Sequence, residues 1–370
     1  MKNQRNVLCS LAIMLVGVIN FALQGQQKNA VYLADKNREA STSEGPNGIV
    51  RTVKQDRQGN IWITSWEGVY KYDGTSFTNV TRTVSSARFF SVLEDNKGHF
   101  WFATVGEGIF YYDGKNFQHF TTAEGLADNI VTNIYEDQKG HIWFGTGNGI
   151  SHYDGTSFRN IKIKETAGPA ANDSVYTGAA PTQTVKDSMH VSSNQKPAPE
   201  LSWIHNDVNA ITADKAGKLW IATRGHATIY DGTIFTPITR AGGKPFTNVR
   251  SIIKDQKGNM WLGGNDGLWR YDGQTFTNFT EKFVGYIYED KKGAIWTSSE
   301  GANKNTWVLS RYDEKTLTDT KPMVTEIATQ PMLFGILEDR KGNIWFGGLD
   351  GVYRYDGKTV AGFKNGGNKK

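Results

Sequence analysis

Two arginines at matching places, a third arginine beside a histidine, and seven recurring aspartates are the residues that could do chemistry here. Arg51 and Arg250 each stand five residues ahead of an Asp-x-x-Gly turn. The same place in other copies of the pattern holds Phe90, Thr132, Asn209, Gly285 and Phe334. A guanidinium binds a carboxylate through two parallel hydrogen bonds, and phenyl rings add apolar contact to the same ligand. This mixed column therefore reads as the rim of a site for an acidic or carboxylate-bearing ligand. Within the chain, Glu67 and Asp266 are the alternative partners for these arginines. His226, with Arg224 two residues before it, falls in a variable turn that a ligand could reach. The candidate binding set is Arg51, Phe90, Thr132, Asn209, Arg250, Phe334, Arg224 and His226.

No other constellation adds to it. His99 and His141 directly follow Asp-x-x-Gly and read as turn residues; His119, His152, His190 and His205 show no metal-like spacing. The Asp-x-x-Gly turns lack the alternating Asp/Asn ligands and distal Glu of a calcium loop. There is no G-x-S-x-G, Walker or dinucleotide fingerprint. We read no catalytic residue, no metal site and no cofactor.

The elements that position the column come from repetition. Asp-x-x-Gly recurs at Asp56, Asp95, Asp137, Asp214, Asp255, Asp290 and Asp339. Six residues after each aspartate stands a tryptophan: Trp62, Trp101, Trp143, Trp220, Trp261, Trp296 and Trp345. Tyr-Asp pairs follow at Tyr72, Tyr112, Tyr153, Tyr230, Tyr271, Tyr312 and Tyr355. In the first copy, Val50 to Gln55, Ile61 to Ser65, Val69 to Tyr72 and Ser76 to Val80 read as strands joined by tight turns. Strand-like text repeating about every 40 residues indicates an all-β, seven-bladed β-propeller with four antiparallel strands per blade, over 49–363. The tryptophans and tyrosines then pack blade on blade and form no sugar-stacking site. Trp143 and Trp220 are 77 residues apart. The Pro-, Ala-, Ser- and Thr-rich text of 162–207 contains no repeat signal, so it reads as one loop insertion, not an eighth blade.

Strand order sets the faces. If each inner strand starts at the top, the Asp-x-x-Gly and Tyr-Asp-Gly turns lie below. The blade-to-blade links and the turns between second and third strands lie above, and these vary. The 162–207 insertion and the longer turn from Ser298 to Val308 both fall on top, as does the rim column.

The ends read differently. Lys2 and Arg5 precede an apolar run from Val7 to Ala22, so 1–25 has the form of a secretory signal, with an uncleaved anchor as the alternative. Cys9, the single cysteine, lies inside that run, which argues against lipid anchoring and against disulfides in the exported chain. Within 26–48, Ala30 to Ala34 is strand-like and is expected to dock on the last blade's outer edge; 364–370 is a tail. The net charge of +5 comes from interleaved acids and bases with no basic face, which excludes nucleic acid. No stable membrane span is expected once the signal is removed.

At Glu94 to Thr104 and Glu136 to Ile150, and at the link Glu124-Gly125-Leu126-Ala127-Asp128-Asn129, the text resembles the repeat of two-component regulator propellers. The resemblance covers about 49 to 363. It implies the extracytoplasmic sensor portion of bacterial hybrid kinases, often a glycan sensor. This chain ends after its last blade with no kinase, receiver, DNA-binding or transmembrane segment. The expectation is a stand-alone exported propeller, periplasmic or extracellular. It would bind a glycan or small acidic ligand, or a separate membrane signalling protein, through its top face. Two alternatives stay open. One is an enzyme similar to streptogramin lyases, which share the architecture and place a catalytic His and Glu around magnesium. The other is a purely structural scaffold in a surface complex.

Overall fold

The computed structural model describes residues 31–33, 41–163, 205–303, 305–319 and 321–364. The segment read as a signal, most of the insertion and the tail beyond Lys364 lie outside them.

Seven antiparallel sheets form in chain order, each with four strands of its own repeat. Their inner strands are Val50–Gln55, Phe89–Glu94, Val131–Glu136, Val208–Ala213, Val249–Lys254, Val284–Glu289 and Phe334–Glu338. Each inner strand packs on the next, and that of blade 7 packs on that of blade 1, closing the ring around a central channel. The second strand of every blade is almost wholly buried because both faces meet a neighbouring blade.

The repeated residues explain themselves. In every blade the turn aspartate accepts the indole N–H of the tryptophan six residues on; for Asp255 and Trp261 the distance is 2.9 Å. The other carboxylate oxygen accepts a backbone N–H across the turn, as from Asn259 at 2.7 Å. One side chain thus closes the turn and anchors the ring that fills the wedge between blades. The Tyr-Asp-Gly turn is built the same way: Asp73 accepts from the N–H groups of Thr75 and Ser76, and Tyr72 donates to the Gly74 carbonyl.

The N-terminal segment corrects one expectation. Val31–Leu33 pairs with Asn116–Phe120, the outer strand of blade 2, and not with the last blade. Ser41–Thr42 then pairs with the outer strand of blade 1, Phe77–Asn79. Blade 7 has its own outer strand, Val360–Gly362, because the repeats are in phase with the chain end. It needs no strand borrowed from the start. The segment also reaches blade 7 at Gly45, whose N–H donates to the Phe363 carbonyl at 2.6 Å.

Candidate functional site

The rim column is set by a backbone irregularity. Each inner strand pairs with its second strand except for one register shift near its start. In blades 1 to 6 the residue left over by the shift is Arg51, Phe90, Thr132, Asn209, Arg250 or Gly285. A β-bulge bends the strand and re-aims the side chain it releases. The residue before the bulge is a fully buried Val or Phe, so the column is lifted out of the blade-to-blade packing at this point. Blade 7 shifts one place later, at Gly335, whose φ of 40° lets the strand pass close to the backbone of blade 1.

The column converges at Arg51. Its guanidinium carbon lies 4.2 Å from the ring centre of Phe90 and 3.9 Å from that of Phe334. Blades 2 and 7 thus clamp the cation of blade 1 between two rings. Among the described residues no carboxylate lies within ion-pair distance of it, and its Nε is buried without a hydrogen-bond partner. The alternative partners are engaged elsewhere. Glu67 accepts the Asn47 N–H at 3.0 Å, and Asp266 pairs with Arg240 at 2.7 Å. Arg250 donates to Asn209 Oδ1 at 3.4 Å, while Asn209 donates to the Val249 carbonyl at 2.8 Å.

The electrostatics match an anion site. Burial first, and then Arg250, push the Arg51 guanidinium down to about 9. A guanidinium still keeps its proton at neutral pH, so the shift expresses first the cost of burying this cation and second the cost of holding it near Arg250. Lys54, three residues further along the same strand, is lowered by desolvation alone. It touches water yet is ringed by protein, as a side chain in a narrow wet channel is. Thr132 turns inward to the scaffold and donates to the Val208 carbonyl at 2.5 Å, so it links blades 3 and 4.

One member of the site was missed. Gly285 leaves a gap in the column, and Trp307 fills it: a Cβ on Gly285 would stand 2.6 Å from the indole ring. Trp307 opens the third strand of blade 6, Trp307–Tyr312, next to the longer top turn, and packs edge-on against Phe283 at 5.4 Å. The turn singled out for its length therefore brings an aromatic wall to the rim.

Arg224 and His226 form their own constellation in the top turn of blade 4. Arg224 Nε pairs with Asp207 Oδ2 at 2.6 Å, and His226 Nδ1 faces His205 Nδ1 at 2.6 Å. Burial, then His205, push His226 down to about 4. Two surface grooves lie away from the rim. One is between the lower ends of blades 2 and 3, near His99 and Tyr153, and the other is between the outer strands of blades 3 and 4, near Lys162 and Ile234.

Four stretches, 44–67, 125–148, 202–225 and 243–266, match the family model described as two component regulator propeller. No curated protein matches the chain in sequence. Among solved structures, the extracellular domain of the hybrid two component system BT3049 from B. thetaiotaomicron is similar, with a TM-score of 0.63 and 22% identity over 89% of this chain. The chain spans 41% of that one's length. Virginiamycin B lyase from Staphylococcus aureus, solved in an inactive form with quinupristin, has a TM-score of 0.58, 16% identity, and coverage of 88% of this chain and 99% of its own. PorZ, a surface component of the type-IX secretion system of Porphyromonas gingivalis, has a TM-score of 0.55, 17% identity, and coverage of 83% and 46%. At these identities the likeness is one of fold. No helix among the described residues is long and apolar enough to cross a membrane.

Proposed function

We propose that this chain, which carries the two-component regulator propeller repeat, is an exported, sensor-like binding propeller that takes an anionic ligand at the upper mouth of its channel. The observation that carries this reading is Arg51, a cation clamped between Phe90 and Phe334 with no carboxylate beside it among the described residues. A ligand carboxylate would supply the missing charge, with Arg250 as a second anchor and Trp307 as an apolar wall. Buried charges in proteins are normally paired, and an unpaired one poised for a ligand is how recognition sites differ from cores. The ligand class is a small organic acid or a sugar acid; the aromatic rings suit the apolar face of a sugar as well.

The resemblance to extracellular sensor domains supports export and sensing, with signalling left to a separate membrane protein. The lyase alternative needs a His and a Glu at the channel mouth, and the rim column holds neither. The test is calorimetric titration of the chain with uronic acids, simple dicarboxylates and the matching neutral sugars. Binding of the acids only, weakened at least tenfold in Arg51→Met and reduced in Arg250→Gln, is the expected result. Equal binding of acids and neutral sugars, or acid binding unchanged in Arg51→Met, overturns it.

A further inference from the structure

The lower face of blade 3 holds a second site, independent of the channel. Asp137, His141 and His152 each offer one carboxylate oxygen or ring nitrogen, and these three atoms all lie within 4.8 Å of one another. His152 Nε2 is 3.1 Å from His141 Nδ1, and that nitrogen is 3.9 Å from Asp137 Oδ2. Asp137 is already fixed: its Oδ1 accepts two backbone N–H groups and its Oδ2 accepts the Trp143 indole at 2.9 Å. The His152 ring lies over Trp143, 4.2 Å between centres.

Comparison between blades shows what this place is for. The third-strand residue opposite the repeat tryptophan is Lys71, Arg270, Arg311 and Arg354 in blades 1, 5, 6 and 7. In blades 1, 5 and 7 its cation lies over the tryptophan ring, and in blade 6 the Arg311 Nε is 3.8 Å from Asp290 Oδ2. Four blades thus place a permanent positive charge beside the tryptophan and its turn aspartate. Blade 3 puts His152 there and a second imidazole, His141, at the end of the turn. Two imidazoles and one carboxylate stand where blades 1, 5, 6 and 7 keep a cation, while blades 2 and 4 carry Tyr111 and Ile229 at the third-strand place.

We infer that this trio binds a divalent transition metal of the zinc class, which restores the missing positive charge of blade 3. Two imidazoles and a carboxylate suit zinc, copper or nickel and not calcium or magnesium. Zinc–nitrogen bonds of about 2.0–2.1 Å set tetrahedral ligand atoms roughly 3.3 Å apart, close to the observed histidine spacing. The imidazoles would close on the fixed carboxylate, and water would complete the shell. Blade 2 shows the metal-free counterpart: Tyr111 takes the third-strand place and its hydroxyl meets His99 Nδ1 at 2.7 Å.

Titrating the chelator-stripped chain with Zn²⁺, and separately with Co²⁺ followed by its visible absorption, tests this. The expected result is one tight site, tetrahedral cobalt bands, and a rise in melting temperature with metal. His152→Tyr, which copies blade 2 and so keeps the fold, should abolish all three, and His141→Ala should weaken binding at least tenfold. Absence of both Zn²⁺ and Co²⁺ binding under these conditions would overturn the inference. So would binding that survives His152→Tyr but is lost in His205→Ala, which would assign the metal to the top of blade 4.

Discussion

A cation between two phenyl rings, denied a carboxylate, costs the empty protein stability that a ligand can restore. This makes Arg51 separable from the residues around it. Arg51→Met keeps the stem packing of the arginine between Phe90 and Phe334 and removes the charge. Apolar replacement of a buried charge is often neutral or stabilising by about 1–4 kcal/mol. Arg51→Met should therefore melt at the same or a higher temperature than the parent while losing acid binding, a pattern that a packing residue would not give. His226 acts in the opposite sense with pH. Its folded pKa of about 4 lies below the ordinary 6.5, so the unfolded chain takes up the proton first. Its contribution is complete above pH 6.5 and is lost as the pH falls toward 4. Melting temperatures across that window should fall, and the fall should be shallower in His226→Asn. Asp73, held near 2 by the Ser76 and Thr75 N–H groups, should add its loss only below its ordinary 3.8. The rim arginines were readable because their column varies from copy to copy while the apolar position two residues on repeats. The pairing of His141 with His152 was not, because positions 11 apart meet only through the register of a hairpin.

At the scale of the strand and turn, the sequence text was most legible where the backbone demands one residue type. Gly267 closes the top turn of blade 5 at φ 94°, and a Cβ there would lie 1.7 Å from the Thr280 carbonyl oxygen. Gly273 closes the lower turn of the same blade at φ 104°, with nothing within 4 Å. The two glycines share a conformation and differ in crowding. Gly273→Ala should cost about 1–3 kcal/mol, the strain of a positive φ alone. Gly267→Ala should cost several kcal/mol more in urea unfolding, since backbone must move away. Equal losses would show that crowding at the top turn is relieved cheaply. The bulge beneath the rim was not legible: Val50, Arg51 and Thr52 read as unbroken strand, and only the pairing reveals which of them is left over. The docking place of Val31–Leu33 was misjudged for a related reason. Strand-like text shows that a segment will pair but not with which open edge.

Across the whole ring, a belt on the lower face ties blade to blade. In five blades the residue before the turn aspartate reaches the first N–H of the preceding blade's turn. Glu94 takes Arg57, Glu136 takes Asn96, Glu289 takes Gln256, Glu338 takes Lys291, and Gln55 takes Arg340 across the closing seam. The seam is reinforced by Arg340, which also donates to the Arg57 carbonyl at 2.5 Å, and by Phe363 of blade 7, whose ring lies 5.5 Å from that of Phe77 in blade 1. Blades 4 and 5 carry Ala213 and Lys254 at this place, and neither can accept a hydrogen bond. The belt is therefore open on both sides of blade 4, the blade that follows the 162–207 insertion. There the upper links remain, from Thr132 to Val208 and from Asn209 to Val249. Opening of a closed ring should start where its ties are fewest. In native-state hydrogen exchange, the amides of Gln138 and Lys215 should exchange faster than those of Arg57, Asn96, Gln256, Lys291 and Arg340. Lys254→Glu supplies the missing acceptor at an exposed position and should slow the Lys215 amide specifically. A single charge-assisted bond of this kind is worth about 1.5–3 kcal/mol where it is shielded and less at a surface. If Lys254→Glu protects Lys215 while leaving Gln138 unchanged, the belt works link by link; if both amides slow together, blade 4 moves as one unit.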